Sequence, residues 1–81
     1  MQCAVYKGRK KRDTYLFVEH VDDFTRVPST LLDMLGELEL VMTLDLSDRR
    51  RLAQIDPQQV EQLLQTQGYF LQLPPSIQTL Q

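Results

Sequence analysis

Residues 38 to 46, LELVMTLDL, alternate without a break: Leu38, Leu40, Met42, Leu44 and Leu46 fall on one side, and Glu39, Val41, Thr43 and Asp45 on the other. A period of two marks a strand with one buried face. It predicts that the stripe Leu40, Met42 and Leu44 faces the helices. Residues 2 to 6 (QCAVY) and 14 to 20 (TYLFVEH) are rich in β-branched and aromatic side chains and flank a polar, Gly-containing stretch, the pattern of a β-hairpin with a charged loop. YFLQL, Tyr69 to Leu73, reads as a last strand stopped by Pro74-Pro75, which can neither donate to a ladder nor continue one.

The two helical patterns are shorter. Leu31, Leu32 and Leu35 make one apolar face after Pro28, which suits a first turn, and Gly36 sits where a left-handed C-terminal cap is wanted. Asp56-Pro57 is an N-cap and first-position pair, followed by Val60, Leu63 and Leu64 at helical spacing until Gly68, so a second helix is predicted from about residue 57 to 67. Leu31, Leu35, Val60 and Leu64 are expected opposite the central stripe.

The order β-β-α-β-α-β predicts a two-layer α+β domain: one four-stranded mixed sheet with both short helices on one face. Right-handed crossovers would make the strands at 14 to 20, 38 to 46 and 69 to 73 parallel and the first antiparallel. Residues 1 to 75 are read as a single domain and 76 to 81 as a mobile tail. A chain of 81 residues buries only roughly 60 to 65% of its unfolded surface, which leaves little stability to support a large catalytic cavity.

Charge changes the picture most. Of nine Lys and Arg, eight lie in two blocks, Lys7, Arg9, Lys10, Lys11 and Arg12 (KGRKKR) and Arg49, Arg50 and Arg51, although the net charge is −2. Like charges this close persist either as solvated loops or as anion-binding patches, so all eight are candidate anion-binding residues. Binding of RNA or of single-stranded nucleic acid would need aromatic platforms as well, and Tyr6, Tyr15, Phe17, Tyr69 and Phe70 are the available rings. A pI of about 5.2 counts against that reading, because a nucleic-acid domain of this kind has a pI above about 9. Arg49 to Arg51 precede the second helix, whose N-terminus could attract phosphate, but no Gly-rich loop lies between.

Catalytic chemistry finds less support. His20 is the only histidine and stands near Asp22 and Asp23, an arrangement open to general-base work. Cys3 is the only cysteine, with His20 expected on the neighbouring strand; alternation places the thiol as a small core hydrophobe. Asp22, Asp23, Asp45 and Asp48 could gather at strand ends, yet no zinc or EF-hand spacing is present, and no metal or cofactor is expected. No apolar run approaches the roughly 18 residues of a membrane span, and the basic block follows the N-terminal apolar segment, the reverse of a secretory signal. A cytoplasmic location is expected.

Tyr6-Lys7 before the basic loop, Thr14 to Val18, Asp23-Phe24-Thr25-Arg26-Val27-Pro28 and above all Gly68-Tyr69-Phe70-Leu71-Gln72-Leu73-Pro74-Pro75 resemble the YcgL family of small gammaproteobacterial proteins. The resemblance spans essentially the whole domain. It implies a compact cytosolic α/β domain of bacterial origin and brings no catalytic or binding residues with it. The basic block is more continuous here than the family pattern requires. The expected function is a non-enzymatic interaction module for a protein or anionic partner, with nucleic-acid binding through loops 7–12 and 49–51 as the alternative.

Overall fold

The structure is a computed structural model that describes residues 2–46 and 56–72. Its elements are β1 (Gln2–Gly8), β2 (Tyr15–Val18), α1 (Ser29–Leu35), β3 (Leu38–Asp45), α2 (Pro57–Thr66) and β4 (Tyr69–Gln72), in the order and close to the bounds the sequence predicts. The expected helix signals act as read. The Asp56 carboxylate accepts from the Gln58 amide at 3.0 Å with Pro57 in the first turn. Gly36 (φ 78°) and Gly68 (φ 94°) take the left-handed backbone that ends α1 and α2.

The strands form one sheet in the order β3-β1-β2-β4, and every neighbouring pair is antiparallel. The expected mixed sheet is therefore corrected. β3 does run in the direction of β2, with β1 between them, but β4 runs the opposite way, pairing Tyr69 with Val18 and Gln72 with Tyr15. The handedness rule constrains only strands that finish parallel. β3 and β4 occupy the two outer edges and finish antiparallel, so the rule has no hold on β4. In consequence β4 ends beside Tyr15, at the loop end of the hairpin, and not at the end carrying Asp22 and Asp23.

The two helices also do not share a face. Ala4, Tyr6, Leu16 and Val18 pack with Leu35 of α1 and with Val27, while Cys3, Val5 and Phe17 pack with Val60 and Leu64 of α2 and with Leu46. Neighbouring residues of a strand point to opposite sides, so α1 covers one face and α2 the other. Phe17 and Phe70 meet edge to face at 5.5 Å on the α2 side. On the α1 side Tyr6 meets Phe24 at 4.9 Å, and its hydroxyl accepts the Asp22 amide at 2.7 Å. That bond holds Asp22 at a φ of 63°, a left-handed conformation uncommon outside glycine.

The alternating stripe of β3 is divided. The register passes from Val5↔Met42 to Tyr6↔Leu40, which leaves Val41 as an extra residue, a β-bulge. One added residue reverses sidedness. Leu38 consequently joins the α1 core and Leu44 the α2 core, while Leu40 and Met42 remain 47% and 50% exposed. The expectation that Leu40, Met42 and Leu44 form one buried row is corrected by this single residue.

These burials separate two substitutions, one on β2 and one on β3, that a fully buried Leu40 would make comparable. Leu16→Ala, in a fully buried position, is expected to cost about 2–5 kcal/mol, and Leu40→Ala within about 0.5 kcal/mol of zero. Urea denaturation of both variants checks this; comparable losses would place the bulge wrongly.

Candidate functional site

The basic block begins where β1 passes beneath the end of α1. Gly8 is buried there, and a Cβ on it would collide with the Leu35 carbonyl oxygen and lie 2.8 Å from Leu35 Cβ, so only glycine admits this close approach. Beyond Gly8 the loop is tied down. The Arg9 amide donates to the Glu37 carbonyl at 2.9 Å, the Lys10 amide to the Leu35 carbonyl at 3.0 Å and the Thr14 amide to the Lys11 carbonyl at 3.0 Å.

The cations of this loop divide by what they touch. Lys10 extends its ammonium to the Asp33 carbonyl at 3.4 Å, and its side chain lies against Gly36, where a Cβ would come within 2.8 Å of Lys10 Cγ. α1 has no basic residue in its own last turn, so Lys10 supplies the positive charge that the carbonyl end of a helix favours. Arg9 Nη1 reaches Glu37 Oε1 at 3.1 Å. Among the described residues no ion pair engages Lys7, Lys11 or Arg12. Lys7, half-buried on β1 between Glu39 and Tyr15 of the flanking strands, lines a cavity of about 290 Å³ together with Gly8, Arg9, Arg12 and Glu39.

Arg49, Arg50 and Arg51 lie outside the described residues. β3 ends with Asp45 opposite Gln2, at the far end of β1 from the basic loop. Arg26, the one cation outside both blocks, donates to the Thr66 carbonyl at 3.1 Å and stands 4.0 Å from Glu19. It therefore serves the end of α2 as Lys10 serves the end of α1. Nothing in the spacing of residues marked Lys10 and Arg26 for these roles, because each reaches a helix remote in sequence.

The rings do not form a platform. Tyr6 and Phe17 are buried, and Tyr15, Tyr69 and Phe70 pack against the two cores. Cys3 and His20 do line one cavity, of about 380 Å³, with Gln2, Ala4, Glu19, Val21 and Thr43, but no hydrogen bond joins them among the described residues. Burial pushes the Cys3 thiol up from 9.0 to about 11, opposite to what a nucleophile needs. Asp23 is held below the usual carboxylate range by the Thr25 hydroxyl, at 2.7 Å, and then by the Thr25 amide. Asp22 lies against Tyr6, and Asp48 falls outside the described residues. Among the described residues no three acidic, His or Cys side chains gather as a metal site, and no helix is long and apolar enough to cross a membrane.

Residues 3–75 match the sequence profile of the YcgL domain. The chain is 45% identical over 80 residues to a YcgL domain-containing protein of Proteus mirabilis, covering 99% of this chain and 82% of that protein. It is 55% identical over 75 residues to a YcgL domain-containing protein of Shewanella loihica, covering 93% and 81%. Similarity also extends, at 54% over 71 residues, to a protein of Nitrosococcus oceani named as a HAD-like hydrolase, of whose length the match occupies 19%.

Two measurements follow from this geometry. Gly8→Ala is expected to cost about 1–3 kcal/mol through overpacking against Leu35, and unchanged thermal stability would contradict the close approach. The Cys3 thiol, 2% exposed, is expected to resist a thiol reagent at pH 8 until the chain unfolds. Its folded value of about 11 exceeds the unfolded one, so the stability it contributes is present at neutral pH and is lost as pH rises through about 11. A steeper alkaline decline for the parent than for Cys3→Ala would show this contribution; identical declines would remove it.

Proposed function

The chain belongs to the YcgL family, and on that footing we propose that it acts as a non-enzymatic interaction module, with the loop from Lys7 to Arg12 as the surface offered to an anionic partner. The carrying observation is the combination of a fixed backbone with free charge. The loop is bonded to the end of α1 and to Glu37 ahead of β3, while Lys7, Lys11 and Arg12 hold no carboxylate among the described residues. A preorganised cationic loop loses little conformational freedom on binding. The Nitrosococcus oceani relative supports the modular reading, because a domain like this one accounts for 19% of that longer protein, as an appended unit does.

Sorting the cations also sets the test. Lys11→Ala with Arg12→Ala is expected to leave thermal stability near that of the parent and to weaken capture of an acidic peptide, with the salt dependence of binding reduced. Lys10→Ala is expected to lower stability by about 0.3–1 kcal/mol through the end of α1 and to affect binding less. Capture that survives nuclease and fades with Lys11 and Arg12 supports the module. Binding of single-stranded RNA with no protein capture would favour the nucleic-acid alternative instead. Unchanged capture by the double variant removes this loop from the function.

A further inference from the structure

Resting on the reading of the basic loop as an anion-facing surface, we infer that the cavity bounded by Lys7, Gly8, Arg9, Arg12 and Glu39 is a site for a single phosphate dianion, as carried by inorganic phosphate or a phosphomonoester. Its volume is about 290 Å³, at or below the smallest ligand pockets of about 300 Å³, so it admits a compact group. Among the described residues no aromatic or aliphatic side chain contributes to the lining, so these residues offer a base or sugar no surface to stack on and recognise by charge and hydrogen bonding.

Among the described residues the lining sets Lys7, Arg9 and Arg12 against Glu39, with Arg9 also held by Glu37 at 3.1 Å, so the cavity is cationic on balance. A phosphomonoester carries about −1.5 to −2 at neutral pH and is drawn to a cationic cavity more strongly than a phosphodiester linkage, which carries a single charge. Two of the three donors are positioned before any ligand arrives. Lys7 is half-buried on a strand, and Arg9 is held by Glu37 through Nη1 at 3.1 Å, which leaves the rest of its planar fork for a second acceptor. Gly8 lends only backbone to the lining; the side chain it lacks would point away from Lys7, at Leu35 on the α1 face. Glu39, opposite Lys7 in the ladder, is the one lining group among the described residues that repels an anion.

Amide chemical shifts of the labelled chain, titrated at low salt with inorganic phosphate, methyl phosphate, dimethyl phosphate and a phosphoserine peptide, test this directly. Saturable shifts centred on residues 7–9, 12 and 39 are expected from inorganic phosphate, methyl phosphate and the peptide, with dimethyl phosphate clearly weaker. Lys7→Gln, which keeps the buried stem, and Arg12→Ala are each expected to weaken phosphate about tenfold. Glu39→Gln should tighten it several-fold, while Glu61→Gln, on α2, leaves it unchanged. Tighter binding of the peptide than of inorganic phosphate would name a phosphorylated protein as the source; the reverse would name a free phosphate or small phosphomonoester. Equal effects of Glu39→Gln and Glu61→Gln, non-saturating shifts, or dimethyl phosphate as tight as methyl phosphate would overturn the site. If phosphate fails while an acidic peptide still binds the loop, this inference falls and the proposed function stands; if no anion binds the loop at low salt, both fall.

Discussion

A strand that is apolar on both sides has to be covered on both sides, and β1 and β2 are such strands. Cys3, Ala4, Val5 and Tyr6 are all buried, as are Leu16, Phe17 and Val18. Continuous apolar runs of this kind belong to strands enclosed between layers. One helical layer could satisfy only half of them. The chain therefore places α1 on one face and α2 on the other, with β3 and β4 at the rims, and each face carries its own small core. Consecutive residues of the same strand serve different cores, so the central hairpin couples the two.

Such short helices need help at their carbonyl ends, and neither has a basic residue in its last turn. Both receive one from a distant part of the chain, Lys10 for α1 and Arg26 for α2. In each case the cation crosses the glycine that ends the helix, where a Cβ would strike its side chain. Part of the charge that stands out in the composition is thus structural. What remains at the loop, Lys7, Arg9, Lys11 and Arg12, is the fraction with chemistry to offer.

Element identities were legible because each carries a local signal: Asp56-Pro57 and Gly68 bracket α2, Gly36 ends α1, and Pro28 precedes it. Sidedness was less so. The run CAVY is apolar on both faces, but the expectation of a single covered face followed the cleaner alternation of residues 38 to 46, and the bulge at Val41 that breaks it arises only from pairing with Val5 and Tyr6. The direction of β4 depends likewise on its partner β2 and on the Phe17–Phe70 contact, which no local pattern encodes. At the candidate site the cations were visible as a block. Their division was not, since the hold of Lys10 on α1 and the placing of Lys7 opposite Glu39 in the ladder join segments more than twenty residues apart.

The bonds from Arg9 and Lys10 to the carbonyls of Glu37 and Leu35 have a kinetic counterpart. Fraying the last turn of α1 means releasing the loop, and disordering the loop strips α1 of its cap, so the two open as one cooperative unit. On the proposed reading, an anion bound at the loop would slow amide exchange at Leu35 and Gly36 by a factor that grows with its concentration over its dissociation constant. A segment of α1 remote from any such anion would then report whether the loop is filled.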